Sequence, residues 1–146
     1  MRLYLDTSVF SAYYDKRTPE RLQMTRLFWQ ELTNYEKLCS DLTLEEIGQA
    51  SPTLAQKMLA LTTDFEIIST DEQVEILAQD YVQSGVIPSK YFSDALHIAL
   101  AIKGNTDILV SWNFKHLVKR KTRLLVNYIN STKGLRNLEI LAPPEL

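Results

Sequence analysis

The stretch that decides the fold is SKYFSDALHIALAIK, residues 89–103. Its apolar side chains recur at a spacing close to 3.6 residues and occupy most of the circumference, which predicts a largely buried helix. One carboxylate, Asp94, falls in the first turn of this helix among apolar neighbours. Because an unpaired charge is costly in such surroundings, Asp94 must cap the helix, meet a basic side chain or hold a cation.

The composition is typical of a chain with one core. Its 146 residues, 45% of them hydrophobic, are enough for a single domain over residues 1–146. With 16 basic and 18 acidic residues the net charge is −2, which does not indicate a nucleic-acid binder, although local charge can oppose the total. Short apolar runs predict neither a signal peptide nor a membrane span. The single Cys39 predicts a buried thiol in a cytoplasmic protein.

Short apolar runs alternate with helical patterns along the chain. The predicted strands cover residues 3–5, 37–40, 64–69, 108–110 and 138–141, and the clearest helices lie within 20–34, 52–61, 71–84 and 89–103. No two strands are separated by a tight hairpin signal. The alternation therefore predicts an α/β fold in which helices flank a central parallel sheet.

Polar side chains follow three of these strands or lie on the central helix. Asp6 follows the first strand, Glu45 and Glu46 follow the second, and Asn113 comes shortly after the strand at 108–110. Strand ends at one edge of a parallel sheet are neighbours, so these groups are expected to converge with Asp94. Because carboxylates repel one another unless a cation lies between them, the pattern indicates Mg²⁺ or Mn²⁺.

Four segments together resemble the signature blocks of the PIN domain family, as found in VapC-type toxins. They are LDTS at 5–8, SDLTLEEI at 40–47, SDALHIALA at 93–101, and SWNFKHL at 111–117 with the strand before it. The resemblance spans nearly the whole chain. It implies a parallel sheet between helices, a Mg²⁺- or Mn²⁺-dependent endoribonuclease, an RNA substrate and a cognate antitoxin that inhibits it.

The resemblance also implies which residues form the site. The family's three acids fall on Asp6, Glu46 and Asp94, as metal ligands and catalytic groups. Glu46 is preferred over Glu45 because the family's glutamate directly precedes an apolar residue, here Ile47.

The fourth family position departs from the pattern. Ser111 matches a Ser or Thr at the strand end, but Asn113 stands where the family often has an aspartate. The absence of one negative charge leaves the number of metal ions open, although Asn113 could orient a water or bind through its amide oxygen. His97 lies near the same helix face as Asp94, and a lone histidine on an apolar helix is more often a core group than a ligand.

A basic cluster follows the last of these segments. Phosphate contacts and a solvated helix face are equally reasonable interpretations of it. The candidate RNA-binding residues are Lys115, Lys119, Arg120, Lys121 and Arg123.

Two other functional classes remain open. A PIN-like fold without turnover could act as an RNA- or protein-binding module, an alternative that Asn113 in place of an aspartate keeps open. A phosphate-handling receiver or haloacid-dehalogenase type also has an aspartate after its first strand. That class fits less well, because no second aspartate lies two residues after Asp6 and no lysine after a late strand matches its pattern. No glycine-rich phosphate loop is present, so nucleotide-cofactor chemistry is not expected.

An aromatic region early in the chain is a candidate interface. We expect more apolar surface there than one core can bury, and part of it to form a homodimer or antitoxin contact. Its residues are Tyr13, Tyr14, Phe28, Trp29 and Leu32.

Overall fold

Five short strands form one parallel sheet at the centre of the protein, whose computed structural model describes residues 1–146. The strands are β1 (Arg2–Leu5), β2 (Glu36–Ser40), β3 (Glu66–Ile68), β4 (Ile108–Val110) and β5 (Glu139–Leu141). The helices are α1 (Thr7–Ala12), α2 (Pro19–Glu31), α3 (Asp41–Ile47), α4 (Pro52–Leu61), α5 (Glu72–Gln83), α6 (Phe92–Lys103) and α7 (Arg120–Thr132). Short 3₁₀ turns occupy Leu32–Asn34, Ser89–Tyr91 and Pro143–Glu145. The predicted α/β fold is confirmed.

The strand order β3-β2-β1-β4-β5 places β1 at the centre of the sheet. Tyr4 aligns with Leu38 of β2 and with Leu109 of β4, and every pairing is parallel. Because the strands are parallel and short, the residues that follow β1, β2 and β4 come together at one edge of the sheet. The chain enters α1 and α3 directly from that edge.

Two apolar layers cover the two faces of the sheet. Successive side chains of a strand point to opposite faces. Leu3 and Leu5 therefore belong to a core cluster with residues of α1, α2 and α4, whereas Tyr4 belongs to a larger cluster with residues of α5, α6 and α7. Strands buried on both sides explain why their sequences read as unbroken apolar runs.

The central helix begins later than its sequence pattern indicates. Residues Ser89–Tyr91 form a 3₁₀ turn after Pro88, and α6 starts at Phe92. Asp94 lies in its first turn, as expected. Gly104 ends the helix where a Cβ atom would lie 2.8 Å from Leu38 Cδ2, so α6 approaches β2 too closely for a side chain there.

The early aromatic region is less exposed than expected. Phe28 is 5% exposed and Leu32 2%, because both pack into the core cluster on the α1–α4 side of the sheet. The expectation of surface exposure is wrong for these two residues. Trp29 is partly buried in the same cluster and contacts Phe10 edge to face.

Two expectations from composition can be compared with the fold. Cys39 is buried and unpaired, and burial raises the pKa of its thiol to about 12, as suits an inert core cysteine. None of the seven helices has the length and apolar character needed to cross a bilayer.

Candidate active site

Asp6 stands at the carboxyl end of the central strand and caps α1. Its Oδ1 accepts hydrogen bonds from the Ser8 amide and hydroxyl, and its Oδ2 accepts one from Ser111 Oγ at 2.7 Å. The residue is 4% exposed. Burial raises the pKa of Asp6 and the charge of Asp94 raises it further, against the opposing effects of His97 and the two serines. Asp6 is therefore a buried acid whose charge is incompletely compensated.

The turn after β4 is tied to the turn after β1 by the same serines. Ser111 Oγ accepts a hydrogen bond from the Asn113 amide at 2.9 Å, and Ser8 Oγ accepts one from the Trp112 amide at 2.9 Å. Asp6, Ser111 and Asn113 are thus held together although more than 100 positions separate Asp6 from the others.

Asp94 projects from the first turn of α6 and is partly exposed. Burial raises the pKa of Asp94 and the charge of Glu46 adds to the rise, while His97, His116 and the Asn113 side-chain amide favour the charged form. The Asn113 amide oxygen already accepts a hydrogen bond from the His116 backbone at 3.0 Å. Its nitrogen is therefore the group left to face Asp94.

Glu46 reaches the site from α3, and its neighbour Glu45 remains on the surface. Thr7 Oγ1 donates to Glu46 Oε1 at 2.6 Å, and His97 Nε2 donates to the same oxygen at 2.7 Å. Burial alone would raise the pKa of Glu46, but these two donors lower it. Glu46 is thus held as a carboxylate, and its Oε2 accepts no hydrogen bond from the protein.

His97 is hydrogen-bonded to Glu46 and lies near enough to all three acids for their charges to act on it. It is 2% exposed, and its Nδ1 lies 2.7 Å from the Tyr4 hydroxyl, which lies 2.7 Å from Ser40 Oγ. Burial would lower the pKa of His97, but the Glu46 hydrogen bond and the charges of Asp6, Glu46 and Asp94 raise it. Both ring nitrogens are engaged, so His97 is a buried hydrogen-bonding group and not a free metal ligand.

The carboxylates suit a divalent cation without forming a complete cage. No group of three or more His, Cys, Asp or Glu side chains is arranged to hold a metal ion. Mg²⁺ commonly takes one or two protein carboxylates and fills its remaining positions with water and substrate phosphate. Asp6 and Asp94 match that requirement, since both are oxygen donors with raised pKa values beside each other's charge. Glu46 could join them only through its free Oε2.

The basic cluster divides into free and paired cations. Arg123 lies 3.5 Å from Glu145, which engages its guanidinium on the surface of α7. Lys115, Lys119, Arg120 and Lys121 have no carboxylate within 4.0 Å. Four of the five residues in the cluster are therefore unpaired, in the segment that follows Asn113.

The fold is that of an α/β protein with a parallel sheet and with acids gathered at the carboxyl edge of that sheet. The chain belongs to the PIN domain family, whose model matches residues 3–116. Membership of this family supports nuclease activity for the chain. No curated protein is similar enough in sequence to match the chain.

Solved structures of VapC toxins share the fold. VapBC2 from Rickettsia felis, bound to a DNA fragment from its promoter, is 19% identical with a TM-score of 0.56, and the match covers 97% of this chain and 98% of that one. VapC20 from Mycobacterium tuberculosis, a toxin that cleaves the sarcin–ricin loop, is 15% identical with a TM-score of 0.59 over 92% and 97%. VapBC-1 from nontypeable Haemophilus influenzae is 17% identical with a TM-score of 0.58 over 99% of both chains. The resemblance to VapC-type PIN domains is confirmed.

Two groups take part in the site in ways that the sequence does not predict. His97 is a core residue, as expected, but the sequence does not predict its hydrogen bond to Glu46. The one indication that His97 lies near the site is its spacing, because a residue three positions after Asp94 lies near the same face of the helix. Thr7 belongs to the LDTS segment, but nothing in the sequence predicts that its hydroxyl donates to Glu46.

Removing the charge of Asp6 should stabilise the metal-free protein. A buried acid with a raised pKa binds its proton more tightly when folded, so wild-type stability falls as the pH rises from the unfolded pKa through the folded one. In EDTA, Asp6→Asn should raise the melting temperature at neutral pH by about 2–4 °C, and the gain should vanish at acidic pH.

Asp64→Asn is the matched control, because its side chain is 80% exposed and the substitution should change little at any pH. Melting curves followed by circular dichroism across the pH range measure both variants. An Asp6→Asn protein less stable than wild type at neutral pH would contradict the incomplete compensation of this carboxylate.

Proposed function

We propose that this protein is a Mg²⁺- or Mn²⁺-dependent endoribonuclease and the toxin of a type II toxin–antitoxin pair. The observation that carries the proposal is the pairing of two partly compensated acids, Asp6 and Asp94, at the carboxyl edge of the sheet. A divalent cation would supply the missing positive charge. The PIN family and the VapC fold support the nuclease class.

The chain's own residues prepare the site for phosphodiester hydrolysis. Asp6 and Asp94 would hold the metal ion, with Glu46 Oε2 as a further oxygen for the ion or for a water. When bound, the ion would lower the pKa of a water molecule and neutralise charge on the phosphate. Ser8 and Ser111 orient Asp6. By analogy with the PIN family, the products would carry 5′-phosphate and 3′-hydroxyl ends, with water and not a neighbouring 2′-hydroxyl as the nucleophile.

His97 and Asn113 would support the acids that hold the metal ion. His97 favours the ionised form of Glu46 and fixes one of its carboxylate oxygens by a hydrogen bond. The Asn113 amide favours the charged form of Asp94. Asn113 thereby acts as a hydrogen-bond donor, whereas an aspartate at this position would add a fourth negative charge. A site with three carboxylates instead of four suits one tightly held metal ion.

A catalytically inactive binding module is the second candidate. Two observations favour it: the carboxylates do not form a complete metal cage, and the Asn113 amide oxygen is occupied by the His116 backbone. Such a protein would keep the RNA-binding surface and lack turnover.

Cleavage should depend on both metal and acids. We expect the purified protein to cut a structured-RNA pool with Mg²⁺ or Mn²⁺ and to stop in EDTA. Asp6→Asn, Asp94→Asn and Glu46→Gln should each lower the rate by about 100-fold or more, since each removes charge or orientation from the site. Gel analysis of end-labelled RNA measures the cuts and the chemistry of their ends.

Glu45→Gln is the matched control, because Glu45 adjoins Glu46 in sequence but lies on the surface. It should cleave like wild type. If folded, metal-loaded protein cuts nothing, the inactive module is favoured. If Glu45→Gln and Glu46→Gln are equally impaired, the assignment of Glu46 is wrong.

The unpaired cations after Asn113 are proposed to bind RNA phosphates. Lys119→Gln with Lys121→Gln should weaken RNA binding and flatten its dependence on salt, by about 0.7 in log–log slope for each phosphate that the variant no longer neutralises. Lys16→Gln with Lys57→Gln removes two exposed, unpaired lysines outside the basic cluster and should leave the slope unchanged. Equal slopes for the two double variants would exclude Lys119 and Lys121 as phosphate-binding residues.

A protein antitoxin and a homodimer are proposed partners. Two of the similar solved structures are VapBC proteins, and large apolar side chains stay exposed here, including Leu27 at 55%, Ile76 at 54% and Leu124 at 59%. An RNA substrate and a thiol without a disulfide partner are consistent with action in the cytoplasm.

Light scattering after gel filtration should give twice the chain mass, and an antitoxin encoded beside the gene should co-purify and suppress cleavage. A monomer at all concentrations contradicts the dimer. Cleavage unaffected by the co-expressed neighbour contradicts the antitoxin.

A further inference from the structure

The proposed mechanism does not use one aromatic ring that lies beside the acidic site. Tyr91 ends the 3₁₀ turn before α6, three residues ahead of Asp94, and it is partly exposed. One side of its ring stacks on His116, with ring centres 4.1 Å apart and planes inclined by 37°. Tyr91 and His116 thus come from the two segments that also carry Asp94 and Asn113.

Two lysine ammonium groups lie close to the same ring. Lys115 Nζ is 5.3 Å from the ring centre and 3.4 Å from the Tyr91 hydroxyl, and Lys90 Nζ is 5.9 Å from the ring centre. Both lysines are exposed, and neither has a carboxylate within 4.0 Å. No other tyrosine ring carries two such cations.

His116 is fixed beneath Tyr91 as a supporting group. It is 6% exposed, and the backbone on both sides of it is bonded: its amide donates to Asn113 Oδ1, and its carbonyl accepts from Thr122 Oγ1 at 2.6 Å. Its Nε2 is buried and has no hydrogen-bond partner within the protein. The backbone of His116 is therefore fixed, and its imidazole covers one face of the Tyr91 ring.

We propose that Tyr91 is a stacking platform for one unpaired nucleobase of the RNA, with Lys90 and Lys115 binding the phosphates on either side of it. The inference rests on the proposed function for the identity of the ligand as RNA. A base on Tyr91 places the adjoining phosphate next to Asp94. The site therefore takes single-stranded or looped RNA, and a base inside a duplex cannot reach the ring.

The chemistry of the cluster favours a nucleotide over a protein partner. Stacking on an aromatic ring with cations at its edge is the recurring means of binding single-stranded nucleic acid, because every base has a π-face and every linkage a phosphate. The two lysines sit on flexible stems that a base can displace from the ring toward its phosphates. The cluster adjoins a set of acids whose proposed substrate is a phosphodiester.

Binding of a fluorescently labelled, mixed-sequence single-stranded RNA tests the platform in EDTA, where metal-dependent cleavage is absent. Fluorescence anisotropy gives the affinity for this RNA and for the same strand annealed to its complement. Tyr91→Leu should weaken single-strand binding by about 5- to 100-fold. Tyr91→Phe keeps the ring and lacks only the hydroxyl that faces Lys115, so it should bind like wild type.

Tyr14→Leu is the matched control. The Tyr14 ring also has a lysine ammonium nearby, with Lys57 Nζ 5.9 Å from the ring centre, but it packs against the core cluster on the other face of the sheet. It should bind like wild type. Lys90→Met with Lys115→Met should lower the log–log salt slope by about 1.4, the value for two phosphate contacts to a single strand. This second variant tests the site even if Tyr91→Leu does not fold.

The outcomes separate the two proposals. Wild-type affinity in Tyr91→Leu, an unchanged salt slope in the lysine variant, or equal affinity for duplex and single strand overturns the platform. So does the absence of RNA binding by the wild type. If Tyr91→Leu loses only capture of an antitoxin, the surface is a protein interface and the platform is wrong. The expected binding pattern without any metal-dependent cleavage would support the platform and contradict the nuclease.

Discussion

The site is constrained by three carboxylates that lie close together at one edge of a parallel sheet, one of them buried and two partly buried. Asp6 follows the end of β1, Glu46 lies near the end of α3 and Asp94 lies in the first turn of α6, and the repulsion between these carboxylates opposes the arrangement. His97 lies near all three acids, and its hydrogen bond to Glu46 at 2.7 Å holds that carboxylate in place. Removing one member of such a buried pair usually costs more than the pair contributes, since the other charge is left uncompensated.

The three acids differ in the direction of their pKa shifts, and the hydrogen bond from His97 contributes to that difference. Glu46 receives donors from His97 and Thr7, which lower its pKa and satisfy one of its oxygens. Asp6 and Asp94 keep raised pKa values, because the hydrogen bonds and charges around them do not outweigh burial and repulsion. The excess negative charge is thus concentrated on two carboxylates, the number that a hydrated Mg²⁺ ordinarily takes from a protein.

Positive charge also remains unpaired in the segments that flank the acidic site. Several cations elsewhere on the surface do pair with acids, as Arg2 does with Glu36 and Glu66 and as Lys133 does with Asp80. In the segments next to Asp94 and Asn113, the side chains of Lys90, Lys115, Lys119, Arg120 and Lys121 have no such partners, whereas Arg123 pairs with Glu145. A chain with a net charge of −2 can therefore still carry unpaired cations next to its acidic site.

The sequence by itself determined the alternation of strands and helices, the placement of Asp6 at a strand end and the position of Asp94 in the first turn of α6. Periodicity, caps and apolar runs are local properties, so they can be read from neighbouring residues. Only the tertiary structure decided that Glu46 faces His97 while Glu45 stays on the surface, that Arg123 pairs with Glu145, and that Phe28 and Leu32 are buried. Each of these outcomes depends on contacts between segments distant in sequence. Such contacts are set by how helices pack on the two faces of the sheet, which no local pattern specifies.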